Sequence, residues 1–162
     1  MNIIIIDRQR ADQIAPLMAD FRVALCAFRG IETQPDLGAA HEELKEYLDR
    51  GYPVFAAEDH GQFIGFVVCR IDEPCLWVES LFVRSEYRRQ GVASMLFHKA
   101  EELAEAMGED TVFNFVHPNN EGIIRFLRAK GYTVLNMIEI RKPYKNEELR
   151  TMIRVGNNAF DY

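Results

Sequence analysis

The sequence predicts a mixed α/β fold, in which helices pack on a β-sheet. Short apolar, β-prone runs bounded by turn residues predict strands. Apolar residues at three- and four-residue spacings predict helices, and the two kinds of run follow one another in the order βααβββαβαββ. At 162 residues the chain is long enough to bury a sizeable core, so residues 1–162 are expected to form a single domain.

The first half of the chain is predicted to contain three strands and two helices. Pro16 lies early in the first helix and moves its expected start to about Ala15. Asp59-His60-Gly61 separates two strands and predicts a hairpin turn. The predicted strands cover 3–6, 53–58 and 62–71, and the helices cover 8–29 and 39–50.

The second half alternates strands and helices around one central stretch. An apolar strand at 76–83 leads through a basic loop into an amphipathic helix from Val92, with Gly108 at its C-cap. Pro118-Asn119-Asn120 is expected to start another helix, which ends at Lys130-Gly131. Further strands are predicted at 111–116, 132–140 and 152–155.

The basic loop after the central strand is typical of a phosphate site. Its three arginines outnumber Glu86, and Gly91 stands where the next helix begins. A helix start offers unpaired amides and a positive dipole end, and a glycine lets a ligand approach the backbone. The alternative is a solvated basic turn before an ordinary helix. A Walker loop and a dinucleotide fingerprint are excluded, because the loop has one glycine and no lysine.

Composition limits the classes of function. The net charge of −6 argues against non-specific nucleic-acid binding and is compatible with a cationic amine substrate. Three cysteines without metal-site spacing imply no disulfide framework. The chain has no apolar run long enough to span a membrane and no basic signal-peptide start. A soluble, cytoplasmic protein is therefore expected, without nucleic-acid or membrane partners.

Two blocks of sequence resemble a known family. Arg88-Arg89-Gln90-Gly91-Val92-Ala93, after the apolar Leu81-Phe82-Val83, resembles the acetyl-CoA signature Arg/Gln-x-x-Gly-x-Gly/Ala of the GNAT N-acetyltransferase superfamily. Asn120-Glu121-Gly122-Ile123 through Gly131-Tyr132 resembles the family's Asn-x-x-Ala … Tyr-x-x-x-Gly-Phe pattern. The resemblance covers essentially the whole chain and is strongest from Trp77 to Tyr132.

The resemblance implies a mostly antiparallel central sheet flanked by about four helices, and acetyl-CoA as the co-substrate. The CoA arm would lie along the end of the central strand, and the loop and helix start would hold the pyrophosphate. Asn120 would bind the CoA arm, with Asn119 as its rival, and Asn120 is equally suited to cap the helix. The implied CoA-binding residues are Leu81, Phe82, Val83, Arg88, Arg89, Gln90, Gly91, Val92, Ala93, Ser94, Asn119, Asn120 and Ile123.

Glu79 is the first candidate for catalysis. It interrupts the strand Trp77-Val78-Glu79-Ser80-Leu81-Phe82, which is otherwise suited to burial, and an unpaired carboxylate there would be costly. A carboxylate in a cleft can accept a proton from an amine substrate. GNAT enzymes often carry a base at this strand position, which supports that role. The alternatives are a cross-strand ion pair with Arg70 and an exposed position on an open part of the sheet.

His117 is the second candidate, since it follows the strand TVFNFV where that strand should meet the substrate. Its alternative role is that of a loop or capping histidine. The other histidines, His41, His60 and His98, are dispersed. No set of Cys, His and acidic residues has metal-ligand spacing, so no metal is expected.

One position departs from the family pattern. Many members have a tyrosine that protonates the CoA thiolate, and this chain has Leu127 there, preceded by Phe126. The sequence predicts an N-acetyltransferase that acts on a primary amine in a ternary complex. Leu127 favours the alternative of a non-catalytic acyl-CoA-binding module, and an interaction domain that binds no CoA is a more distant one. The strand at 152–155 exposes backbone unless it is covered, which suggests a homodimer.

Overall fold

The computed structural model describes residues 1–162, which divide into two compact units. The first unit is Met1–Phe126 and the second is Leu127–Tyr162. The expectation of a single domain remains a prediction. The first unit contains the sheet and most of the helices, so it is described first.

A five-stranded sheet forms the centre of the first unit, with its strands in chain order across the sheet. Neighbouring strands are antiparallel except the last pair, which is parallel. The mixed, mostly antiparallel sheet predicted from the sequence is confirmed. The strands are β1 (Asn2–Ile5), β2 (Val54–Asp59), β3 (Gln62–Asp72), β4 (Cys75–Val83) and β5 (Phe113–Asn114).

The hairpin between β2 and β3 forms where the sequence predicts it. Asp59 pairs with Gln62, so the loop consists of His60 and Gly61 alone. Both have positive φ, 49° and 79°, as a type I′ turn requires. This turn directs β3 back along β2 and onward into the β3–β4 pair.

Helix α1 (Ala11–Phe28) starts earlier than predicted. The start near Ala15 was inferred from Pro16, which lies inside the helix. The side chain of Asp7 accepts hydrogen bonds from two amides just before the helix, at 3.0 and 3.1 Å. These bonds set the preceding turn, so the helix begins before the proline and tolerates the loss of one backbone donor near its start.

Helix α2 (Leu37–Asp49) begins two residues before the predicted range of 39–50. Asp36 is its N-cap and accepts a hydrogen bond from the amide of Ala39 at 2.9 Å. Helices α1 and α2 cover one face of β2 and β3. Their shared core contains Ile14, Leu17, Met18, Phe21, Ala40, Leu44, Tyr47, Phe66 and Val68.

Helix α3 (Val92–Ala106) packs on the opposite face of the sheet, with Leu96 and Phe97 fully buried. The predicted C-cap glycine is confirmed, since Gly108 has a φ of 83°. Helix α4 (Glu121–Ala129) follows β5, and its Phe126 ring meets the Phe97 ring edge-on at 5.6 Å. The four predicted helices are therefore present.

Two predicted strands in the second half differ from the structure. β5 contains only residues 113–114 of the predicted 111–116, and 132–140 forms no strand. A strand needs a neighbour to accept its hydrogen bonds, and none pairs with 132–140. The apolar side chains that suggested this strand, among them Val134 and Leu135, are exposed.

The second unit contains a hairpin. β6 (Met152–Val155) is the predicted last strand, and it pairs antiparallel with β7 (Asn158–Asp161), which the sequence did not predict. Reciprocal hydrogen bonds between the backbones of Thr151 and Tyr162 extend the pairing by one residue. β6 is therefore covered along one edge by its own chain.

Candidate functional site

A β-bulge determines the position of Glu79 on β4. Val68 on β3 pairs with Ser80 on β4, but the next β3 residue, Cys69, pairs with Val78. Glu79 is thus the extra residue of the bulge, and it has no partner in the ladder. A bulge bends its strand and reorients a side chain, which accounts for a carboxylate in a strand of otherwise apolar character.

β4 has an open edge beyond the bulge. The parallel pairing with β5 consists of Trp77 with Phe113 and Val78 with Asn114. From Glu79 to Val83, β4 has no strand neighbour on the β5 side. The predicted CoA-arm residues, Leu81, Phe82 and Val83, lie on this segment. An extended ligand can pair with such an edge as an added strand would.

The loop that follows β4 presents its amides at the start of α3. Gly91 has a φ of 84° and Arg89, without being a glycine, has a φ of 64°. Left-handed residues in a turn make successive amides converge into an anion-binding concavity. No side chain caps the start of α3, and a Cβ built on Gly91 meets nothing within 4 Å. The predicted pyrophosphate residues 89–94 therefore lie together at one helix start.

Two predicted phosphate ligands also brace the loop. The Nε of Arg88 donates to the carbonyl oxygen of Val83 at 2.9 Å, and its guanidinium lies 5.9 Å from the Phe82 ring centroid. The Nε2 of Gln90 donates to the carbonyl oxygen of Glu86 at 2.9 Å. The first contact joins the loop to the end of β4 and the second lies within the loop, so the strand edge leads directly into the loop whose amides converge at α3.

A cavity of about 370 Å³ lies between α1 and the end of β4. One of its lining residues, Arg84, has a buried Nε without a hydrogen-bond partner, which the sequence alone does not reveal. A buried unsatisfied donor is unusual and suits a site that a ligand completes. The cavity is lined by Asp20, Val23, Ala24, Ala27, Phe82, Arg84, Ser85, Glu86 and Arg88.

Glu79 is paired with Arg70, as one of the sequence alternatives predicted. The Nε of Arg70 donates to Oε2 of Glu79 at 3.0 Å, and a second guanidinium nitrogen binds Asp72. The Glu79 side chain is 30% exposed. Glu79 makes this one side-chain hydrogen bond, so its other carboxylate oxygen, Oε1, is left to interact with a substrate.

Tyr47 on α2 belongs to the same region, although its sequence position does not indicate a role there. Burial raises the pKa of the Tyr47 phenol; the charge of Arg22 opposes this shift, and the charge of Glu79 adds to it. The hydroxyl donates to Glu43 at 2.6 Å. In the sequence Tyr47 lies beside Leu44 and Leu48 on the apolar stripe, so nothing distinguished it from a core residue.

His117 lies where the loop before α4 meets the end of α1. Its ring stacks on Phe28 at 6.0 Å, and its Nδ1 accepts from the amide of Asn119 at 3.2 Å. Burial lowers the pKa of His117, and Arg29 lowers it further. The Nδ2 of Asn119 donates to the carbonyl oxygen of Phe28 at 2.9 Å. His117 and Asn119 therefore connect α1 to the loop that follows β5.

The capping role predicted for Asn120 is confirmed. Its Oδ1 accepts a hydrogen bond from the amide of Ile123 at 3.2 Å, and its own carbonyl accepts from Ile124 at 3.1 Å. Leu127, one turn further along α4, has no proton to donate. No group of three or more His, Cys, Asp or Glu side chains is arranged to hold a metal ion. None of the helices has both the length and the hydropathy to cross a bilayer.

Comparison with known sequences identifies the family. The sequence model of the acetyltransferase (GNAT) family matches residues 20–132. The chain is 33% identical over 81 residues to a probable N-acetyltransferase, san, of Drosophila melanogaster. The matched stretch covers 47% of this chain and 44% of that protein. It is 29% identical over 89 residues to an uncharacterised N-acetyltransferase of Methanocaldococcus jannaschii, and this stretch covers 48% of this chain and 38% of that protein. The matched stretches span less than half of either relative.

Solved structures show the same fold. A ribosomal-protein-alanine N-acetyltransferase from Brucella melitensis biovar Abortus superimposes with a TM-score of 0.69 at 19% identity, covering 89% of this chain and 100% of that one. An aminoglycoside N-acetyltransferase in complex with CoA gives a TM-score of 0.69 at 17% identity, covering 88% and 93%. With the family match over residues 20–132, the chain belongs to the acetyltransferase (GNAT) family.

Proposed function

We propose that this protein transfers the acetyl group of acetyl-CoA to a primary amine, by direct attack in a ternary complex. The observation that carries the proposal is the continuity of two features. β4 has no neighbour on the β5 side beyond Val78, and the same strand leads into the uncapped start of α3. An open strand edge can pair with an extended ligand arm, and the converging backbone amides at its end can bind a pyrophosphate. Together they fit a ligand that has both parts, as CoA does.

The residues present fit acetyl-CoA. The space beside Gly91 admits a ligand to the loop backbone, and the buried Nε of Arg84 needs an acceptor. Amides of 89–94 would hold the pyrophosphate, and the backbone of 81–83 would pair with the CoA arm. Asn120 would contact the arm in addition to its cap, with Asn119 as the alternative. The thioester supplies the acetyl group.

Glu79 is proposed as the base. Its Oε2 is held by Arg70, which fixes the carboxylate, and Oε1 would take the proton that the amine loses as its nitrogen bonds to the acetyl carbon. The carbon–sulfur bond then breaks and the sulfur leaves as a thiolate. A backbone N–H near Phe82 would stabilise the negative charge that develops on the carbonyl oxygen.

The leaving thiolate needs no protein acid in this proposal. Leu127 occupies the position at which the family pattern has a tyrosine, so solvent would protonate the thiolate. Because a free thiol has a pKa of about 8.5, a thiolate is an adequate leaving group at neutral pH. His117 is a second candidate base, and burial lowers its pKa. To accept a proton, its Nδ1 would have to release the hydrogen bond from the amide of Asn119.

The alternative is a non-catalytic acyl-CoA-binding module on the same fold, which Leu127 favours. Two measurements separate the possibilities. Release of CoA from acetyl-CoA in the presence of a panel of primary amines supports the enzyme, whereas CoA binding by calorimetry without turnover supports the module. If calorimetry detects no CoA binding, both are wrong.

A homodimer and a cytoplasmic location remain predictions. The dimer prediction depends on an exposed last strand, and the β6–β7 hairpin weakens it because β6 has a partner. Light scattering at micromolar concentration is the direct measurement, and a monomeric mass would contradict the dimer.

A further inference from the structure

Three aromatic side chains form a cluster at the parallel end of β4 and β5. Trp77 stacks on Phe115 with centroids 4.6 Å apart and planes 13° apart, and Phe113 lies 4.9 Å from Trp77. Phe115 is 63% exposed. We call these three residues the ring cluster. It presents a flat apolar surface to solvent, in contrast to the other ring pairs of the sheet, which lie in the core under α1 and α2.

Arg70 links the ring cluster to Glu79. Its guanidinium carbon lies 5.1 Å from the Trp77 centroid and 5.9 Å from the Phe115 centroid. The same guanidinium donates to Glu79 at 3.0 Å. The proposed base and the two rings are therefore linked through one guanidinium group. Asp72, also bound to Arg70, adds a second carboxylate beside the rings.

The ring cluster lies on the sheet face that α1 and α2 partly cover. Arg70 pairs with Trp77 across β3 and β4, and it lies two residues after Val68 on β3. Residues two apart on a strand share a face, and Val68 belongs to the core beneath the two helices. The cluster thus continues that face past the edge of the helices, on the same side as Glu79.

The exposed ring stack lies next to two carboxylates that share the Arg70 guanidinium, so the group keeps one net negative charge. That combination fits one kind of molecule. An ammonium group is attracted to carboxylates and to the faces of aromatic rings. A flat apolar group attached to the amine can stack on Phe115 and remove that surface from water. A hydroxyl-rich or multiply charged amine would instead have to lose hydration against apolar rings, which costs free energy.

We propose that the ring cluster binds the carbon skeleton of the acceptor, and that the acceptor is an arylalkylamine, a primary amine joined by a short chain to an aromatic ring. This inference rests on the proposed function and assigns its substrate class. The acceptor ring stacks on the face of Phe115 opposite to Trp77, and Glu79 lies next to the amine.

The test compares 2-phenylethylamine with n-propylamine and spermidine as acceptors. The native protein should show the lowest KM for 2-phenylethylamine. Phe115→Ala should raise that KM about tenfold, since one stacked ring is lost, while kcat changes little and the KM for n-propylamine stays constant. Tyr144→Ala removes a ring that is equally exposed, at 62%, outside the cluster and should leave all three KM values unchanged.

A second readout does not depend on turnover. Trp77 is the single tryptophan of the chain, so its fluorescence reports directly on the ring cluster. Adding 2-phenylethylamine should change that fluorescence in the native protein and much less in Phe115→Ala. Phe115→Leu keeps an apolar side chain, so its fluorescence change should lie between those of the native protein and Phe115→Ala. Circular dichroism of each variant shows whether the fold is retained.

The outcomes separate the two proposals. A fluorescence change without acetylation of any amine contradicts the proposed function but retains the binding site. Acetylation of other amines, with equal KM values and no fluorescence change, overturns the arylalkylamine assignment and leaves the acetyltransferase proposal intact. Absence of both signals overturns this inference as well. An equal rise in KM for every amine in Phe115→Ala also overturns it.

Discussion

Gly65 on β3 lies directly against the carbonyl oxygen of Phe82 on β4. A Cβ at position 65 would be 2.7 Å from that oxygen and 3.3 Å from Cδ1 of Leu96 on α3. The glycine thus permits the close approach of two strands and a helix. Phe82 belongs to the strand segment proposed to pair with the CoA arm, so this close packing helps to fix the position of the proposed CoA-binding edge.

Gly65→Ala should destabilise the protein by about 1–3 kcal/mol, because the added methyl must displace backbone as well as a side chain. Chemical denaturation measures this change. Gly122→Ala on α4 is the matched control: its Cβ finds ordinary contact at 3.6 Å, and alanine favours a helix. An unchanged denaturation midpoint in Gly65→Ala would contradict the packing argument.

Gly91→Val should weaken CoA binding at least about tenfold, which is 1.4 kcal/mol. The valine side chain would fill the space beside the loop backbone and strain a residue with a φ of 84°. Gly61→Val is the matched control, since Gly61 has a φ of 79° and similar open space in the β2–β3 turn. Calorimetry with CoA should show normal affinity for the control. Equal affinity for both variants would refute the phosphate-site assignment.

Arg84→Met should lower CoA affinity about tenfold without lowering the melting temperature. Methionine retains the bulk of the side chain and removes the buried Nε that has no partner, so the ligand-free protein loses no hydrogen bond. The control is Arg8→Met, on an exposed arginine outside the cavity. A drop in melting temperature with unchanged CoA affinity would mean that Arg84 has a structural role.

Features set by neighbouring residues could be predicted from the sequence. The Asp59-His60-Gly61 turn and the Asn120 cap depend on contacts within a few positions, and both are confirmed. The loop before α3 can be recognised for the same reason, because Gly91 adjoins the helix that it precedes; its phosphate-binding role stays a prediction. Local chemistry determines these features, so the local sequence predicts them.

Features that depend on distant partners could not be predicted in this way. The bulge at Glu79 exists only relative to β3, and no pattern within β4 indicates it. Arg84 and Arg88 look alike in sequence, and the fold alone buries an unpaired nitrogen of the first. At 132–140 the apolar pattern predicted a strand, but a strand also requires a paired neighbour, which this segment lacks.

The last prediction concerns Glu79 and its partner. Glu79→Gln keeps the shape of the side chain and removes its basicity, so kcat should fall by about 10²–10⁴-fold while CoA affinity stays nearly constant. Arg70→Gln is the matched control, because it breaks the same ion pair and leaves the carboxylate.

The two variants distinguish a base from a structural ion pair. If Glu79 accepts the proton, Glu79→Gln loses far more kcat than Arg70→Gln at equal folded concentration. If the pair is structural, both variants lower the melting temperature and neither changes the rate per folded molecule. Near-native turnover in Glu79→Gln would transfer the role to His117 or to solvent.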